Sequence, residues 1–197
     1  MLSQIVNQIL LSLADLGYFG IALGLMIEII PSEIVLSYGG FMISQGTISW
    51  PLAVVAAVIG GLLSQLFLYW FARYGGRPLI LKYGKYVLIS EHHLDLAERW
   101  FLKYGQGVIF GARFIPVVRH AISIPAGLAK MDQTKFSLYT VLAIIPWSIL
   151  FLYLGETLGT NWRSIKEVAA PYTNGVLIAA VALIIVYFFY KRRQRSV

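Results

Sequence analysis

The chain has 197 residues, 58% of them hydrophobic and only 13% charged, with a mean hydropathy of +0.74. A soluble domain carries about a quarter charged residues, so the composition excludes a water-soluble globule and describes an all-α polytopic membrane protein. The formal charge of +7 would suit nucleic acid or anionic lipid, and in so apolar a chain it points to lipid headgroups of the bilayer and away from nucleic acid.

Residues 1–15 place Ile5, Ile9 and Leu13 at helical spacing, with Gln4, Asn7 and Gln8 between them, as in a short amphipathic helix at the membrane interface. No basic residue precedes the first apolar run and Asp15 interrupts it, a pattern unlike a cleaved signal peptide. Gly17 to Ile30 is apolar, but its roughly 14 residues fall short of the roughly 20 that a bilayer requires. Pro31 follows, and the chain stays apolar to Gly46. Residues 17–46 are therefore expected to form a re-entrant hairpin bent near Pro31, with Glu28 and Glu33 beside the bend. Residues 51–72 carry no charge and contain Gly60-Gly61, which marks a full span with close helix packing. A basic stretch follows, within which residues 90–104 are expected to form an amphipathic helix with Ser90 at its start.

Residues 106–130 form the least ordinary stretch. They carry Arg113 and Arg119 around Pro116, with His120, Pro125 and Gly127 after them. An arginine at bilayer depth costs about 2.5–3.5 kcal/mol on insertion scales, and two close prolines deny the backbone a regular helix. A second re-entrant hairpin accounts for both. Residues 136–155 form the next full span, with Pro146 as a site for a bend and Asp132 as a cap before it. Residues 174–190 form a C-terminal span, and 191–197 are a basic tail. No Lys or Arg precedes Arg73, so the positive-inside tendency places the 73–104 region and the C-terminal tail in the cytoplasm. The hairpins then enter from opposite sides.

An internal repeat agrees with this topology. Leu13-Ala14 recurs as Leu96-Ala97, Pro31 as Pro116, Gly40 as Gly127, and Phe67-Leu68-Tyr69 as Phe151-Leu152-Tyr153. Gly75 and Gly159 follow the last pair at equal distance. The chain is thus one membrane domain made of a first repeat, 1–75, and a second, 76–160, followed by the C-terminal span. Each repeat holds an amphipathic helix, a re-entrant hairpin and one full crossing, so the copies insert with opposite polarity. That is the inverted-repeat plan of secondary transporters, whose sites form at the midplane.

Opposed hairpins bring Glu28 and Glu33 toward Arg113 and Arg119. Arginine stays protonated and grips phosphate oxygens through a fork of donors. Carboxylates in a low-dielectric site can exchange protons. Together they suit an anion-binding, proton-coupled carrier; the same groups could instead neutralise each other to hold the hairpins together. Pro31, Pro116, Pro125 and Gly127 would set the hairpin geometry. His120 is either a proton relay or a local hydrogen-bonding group, and Gln65 either faces a cavity or bonds a neighbouring helix. His92 and His93 make no convincing metal site, and the absence of cysteine excludes thiolate sites and disulfides. No cofactor or metal is called for. A membrane phosphatase would need a nucleophilic histidine with a supporting base, and only His120 stands near the arginines.

The stretch R-F-I-P-V-V-R-H-A-I-S-I-P-A-G-L-A-K-M from Arg113 to Met131 resembles the R-x-x-P-x-x-R signature of the DedA family, the bacterial members of the VTT (SNARE-associated) group. E-I-I-P-S-E at Glu28–Glu33 resembles the family's acidic element, and Gly75-Gly76-Arg77 its G-R after the first span. The likeness extends from about residue 10 to 160. In one respect the chain departs from the pattern: only Ile29, Ile30, Pro31 and Ser32 separate the two glutamates, where family members have a longer insert. The resemblance implies a lipid translocase for undecaprenyl phosphate or a related phospholipid, linked to the proton-motive force. The phosphate would sit on Arg113 and Arg119, with Glu28 and Glu33 as a protonation switch or as charge partners. A proton-coupled carrier of a small solute or ion is the alternative, and the sequence is compatible with a homo-oligomer.

Overall fold

The computed structural model describes residues 12–13, 15–84, 95, 99, 107–115, 118–165 and 168. Among them every regular element is helical. The chain divides into two compact units. Within the described residues, the first combines the stretch up to Phe67 with the stretch from Thr140, and the second runs from Leu68 to Tyr139. The expected helices at 1–15 and 90–104, Pro116, the span at 174–190 and the tail at 191–197 lie wholly or mostly outside the described residues.

The first unit begins with helix α1 (Tyr18–Ile27) and helix α2 (Ser32–Ser44). Pro31 separates them: it disfavours helical backbone at the residue before it and has no N–H to give. Its carbonyl then accepts from Ile34 N at 2.9 Å and opens α2. Glu28 closes α1 in the left-handed region at φ 54°, with its N–H bonded to the Gly24 carbonyl. The two helices run antiparallel, since position 24 faces Val35 and position 39 faces Ile21. Ile21, Leu25, Val35 and Leu36 are buried with Phe151 and Leu152 in one core.

Helix α3 (Trp50–Gly84) contains a non-helical residue, Gly76, at φ 65° and ψ −176°. Only glycine takes that conformation readily, and Pro78 follows it, so the membrane-length segment is Trp50–Gly76, 27 residues. It thus extends past the expected end at residue 72. After Gly107 come three short helices, α4 (Val108–Ala112), α5 (Val118–Ala121) and α6 (Ser123–Leu128). Pro125 is tolerated in α6 because it lies in the first turn, where a backbone N–H has no intrahelical partner.

Helix α7 (Gln133–Leu158) follows, and a 3₁₀ stretch, Gly159–Ser164, continues it. Asp132 caps its start, accepting from Lys135 N at Oδ1, 3.0 Å away, and α7 holds Pro146 within it. Asp132→Ala is expected to cost about 1 kcal/mol, read as a fall of roughly 2–4 °C in the melting temperature of the detergent-solubilised protein. The segments Trp50–Gly76 and Gln133–Trp162 are long and apolar enough to cross a membrane.

Glycines set the helix contacts. A Cβ at Gly40 would collide with the Leu152 carbonyl oxygen and lie 2.7 Å from Glu156 N, and one at Gly155 would lie 2.6 Å from Ser37 Cα. Helices α2 and α7 therefore touch backbone to backbone. A Cβ at Gly60 would lie 2.7 Å from Ala22 Cα, which brings α3 equally close to α1. In the second unit a Cβ at Gly127 would collide with the Tyr69 carbonyl oxygen and lie 2.8 Å from Ala72 Cβ. The matched tripeptides are not equivalent in burial. Phe67 and Tyr153 are 57% and 55% exposed, whereas Phe151 and Tyr69 are both 0%.

Candidate functional site

The acidic group belongs to the first unit. Glu28 and Glu33 flank the α1–α2 bend, both half-buried. Glu33 stands in the first turn of α2, where the helix dipole favours a negative charge, and its carbonyl accepts from Ser37 Oγ at 2.6 Å. The Glu28 side chain reaches α3, where Gln65 Nε2 donates to Glu28 Oε1 at 3.2 Å. Gln65 is 4% exposed and lies near the middle of Trp50–Gly76. Of the two roles open to Gln65, bonding a neighbouring element is the one observed.

The basic group belongs to the second unit, and its two arginines differ. Arg113 is 6% exposed. Its guanidinium donates through Nη1 to the Arg119 carbonyl at 2.6 Å and through Nη2 to Ser123 Oγ at 3.1 Å. Its Cζ lies 5.4 Å from the centroid of the Phe136 ring, a cation–π distance. Arg113 thus ties three successive short elements together. Arg119, half-buried on α5, donates from Nε to Nε2 of His120 at 2.9 Å.

The exit from this region is pinned to α3. Tyr69 and Arg73 both donate to the Met131 carbonyl, Arg73 Nη1 at 2.8 Å, and Arg73 Nη1 also bonds the Tyr69 hydroxyl. Tyr69 stacks on Phe136 with ring centroids 4.6 Å apart. Lys130 takes φ 50° just before this knot, and Gly127 lies flat against Tyr69 and Ala72. Arg73, read from sequence as a topology signal, spends its side chain on this anchor. Ser123, wholly buried, was not foreseen as a partner of Arg113; a lone hydroxyl between apolar residues, A-I-S-I-P, was the available signal. Among the described residues no cluster of His, Asp and Glu could hold a metal.

Residues 30–157 match the family model described as VTT domain. The chain is a VTT-domain protein of the DedA family. Over 192 residues, 98% of the chain and 97% of the relative, this VTT-domain protein is 59% identical to undecaprenyl phosphate transporter A of Bacillus subtilis (strain 168). It is 42% identical over 181 residues to the uncharacterized membrane protein YkoX of the same organism, covering 92% of the chain and 82% of that protein. Against undecaprenyl phosphate transporter A of Staphylococcus aureus (strain NCTC 8325 / PS 47) the identity is 27% over 195 residues, 95% of the chain and 94% of the relative. No solved structure matches the chain at a significant level.

Proposed function

We propose that this VTT-domain protein moves a polyprenyl monophosphate, undecaprenyl phosphate, across the plasma membrane, coupled to protons and without a covalent step. The observation that carries the reading is the near-full-length identity of 59% to a relative named as an undecaprenyl phosphate transporter. Arg119 and Arg113 take the phosphate, Arg119 as the more accessible donor and Arg113 as the group that holds the surrounding backbone. Glu28 and Glu33 exchange protons or pair with the arginines when no phosphate is bound, His120 stands as a candidate relay beside Arg119, and the prenyl tail stays in lipid.

The same reading takes the two bent elements as re-entrant and the chain as an inverted repeat with a cytoplasmic C-terminus. What supports re-entrance is depth. The Glu28 bend meets Gln65 near the middle of Trp50–Gly76, and α1, whose ten residues rise about 15 Å, starts alongside the first half of that segment. What supports the repeat is an exchange of partners. Gly40 of the first copy packs on Leu152 in the second copy's span, and Gly127 of the second packs on Tyr69 and Ala72 in the first copy's span. Pro31 and Pro125 bound these packed segments, and in the sequence Pro116 is the counterpart of Pro31.

The test is transfer of a fluorescently labelled polyprenyl monophosphate between leaflets of proteoliposomes. Wild-type protein is expected to accelerate it and Arg119→Ala to lose at least tenfold, since removing one partner of a desolvated charge pair costs about 2–5 kcal/mol. Transfer at the wild-type rate by Arg119→Ala would remove that residue from the site. Uptake of inorganic phosphate without lipid transfer would favour the small-solute carrier instead.

A further inference from the structure

Gln65 is the one amide in the apolar run from Trp50 to Ala72, and it is almost wholly buried. A buried amide is unfavourable unless it is hydrogen-bonded, so its retention there calls for a reason. Helix adhesion is the bland one. Yet α1 and α3 already meet at backbone level through Gly60 and Ala22, without help from an amide. The second span offers an internal control. Ser64 to Tyr69 reads S-Q-L-F-L-Y and Ser148 to Tyr153 reads S-I-L-F-L-Y, so the two copies differ only in that the second has Ile149 where the first has Gln65. Both serines are buried, at 6% and 1%. The amide is therefore no requirement of a span built this way.

What distinguishes the first copy is the carboxylate that the amide meets. Gln65 Nε2 donates to Glu28 Oε1, and Glu28 is held at φ 54°, a conformation in which a long side chain is uncommon. A flexible side chain on a left-handed backbone has several directions open to it, and a hydrogen bond from a buried donor selects one. We infer that Gln65 is a positioning residue of the translocation site, fixing the direction of the Glu28 carboxylate at the bend between α1 and α2. This rests on the reading of Glu28 as a working group of the carrier.

The experiment is a double-mutant cycle in the same leaflet-transfer assay, with labelled polyprenyl monophosphate in vesicles of phosphatidylglycerol and phosphatidylethanolamine. Gln65→Leu and Glu28→Gln are each expected to slow transfer at least tenfold, and the double variant to be no slower than the slower single, because both changes remove one interaction. Gln65→Asn, which keeps the amide but withdraws it by one methylene, is expected to elute from a sizing column as wild type does and still to transfer several-fold more slowly. Wild-type rates in both Gln65 variants, or losses that multiply in the double variant, would overturn the inference while leaving the carrier reading intact. A wild-type rate in Glu28→Gln would overturn the role given to Glu28, and this inference with it.

Discussion

Gly40→Val is expected to destabilise the first unit strongly in detergent. The valine Cβ would fall on the Leu152 carbonyl oxygen and the Glu156 amide nitrogen, and both are backbone atoms that cannot rotate aside. Helices α2 and α7 would have to part, at the place where Gly155 faces Ser37 just as closely. Leu36 and Leu152, 1% and 0% exposed, would lose the contacts that bury them. Inserting bulk into a packed core usually costs about 1–3 kcal/mol, and a clash with backbone belongs at or above the top of that range. About 3 kcal/mol is a large share of the 5–15 kcal/mol that holds a typical domain folded, and it corresponds to a melting temperature lower by roughly 6–12 °C. Gly46→Ala is the matched control. Its φ is 70°, but nothing lies within 4 Å of the added Cβ, so only the left-handed backbone penalty of roughly 1–2 kcal/mol applies. Equal melting temperatures for the two variants would show that α2 and α7 are not in backbone contact.

The second large effect separates the two arginines. Arg113→Ala is expected to lower stability and transport together, whereas Arg119→Ala lowers transport alone. Arg113 is buried and bonds the Arg119 carbonyl and Ser123 Oγ from one guanidinium. Hydrogen bonds from a charged group contribute about 1.5–3 kcal/mol each, so losing both should cost about 3 kcal/mol or more. Arg113→Lys should not rescue the loss, because a single ammonium cannot reproduce a planar fork aimed at two acceptors. Arg119 is half-buried, and its Nε bonds the neighbouring His120 within the same short helix α5. Melting curves and leaflet transfer measured on the same preparations would decide it. A stable, active Arg113→Lys protein, or an Arg119→Ala protein as unstable as Arg113→Ala, would refute the division.

This division shows where sequence reading stopped. Both arginines were legible as costly residues in an apolar stretch, and the two read as a matched pair of phosphate ligands. That one of them serves the backbone depends on the path of the chain between Arg113 and Arg119, which no periodicity encodes. The uncharged run at 51–72 made a long apolar helix legible, and the helix continues beyond it to the break at Gly76. Arg73 read as the start of a basic stretch, and its guanidinium is held by Met131 and Tyr69. Asp132 was legible as a cap because its offer to a helix start is local. Gln65 and Glu28, 37 residues apart, meet only because Gly60 lets α3 lie against α1, and that depends on a missing side chain rather than a present one.

Phe67-Leu68-Tyr69 and Phe151-Leu152-Tyr153 are the same three letters in opposite circumstances. In the first tripeptide the tyrosine is sealed and the phenylalanine is open; in the second the phenylalanine is sealed and the tyrosine is open. Mutational tolerance should therefore be crossed between the two tripeptides, with Tyr69 and Phe151 intolerant of change and Phe67 and Tyr153 open to exchange among apolar residues. Two segments that share a tripeptide under such unequal constraint cannot be exchanged for one another. Grafting one span onto the other's place would preserve every letter of the tripeptide and lose the packing of each.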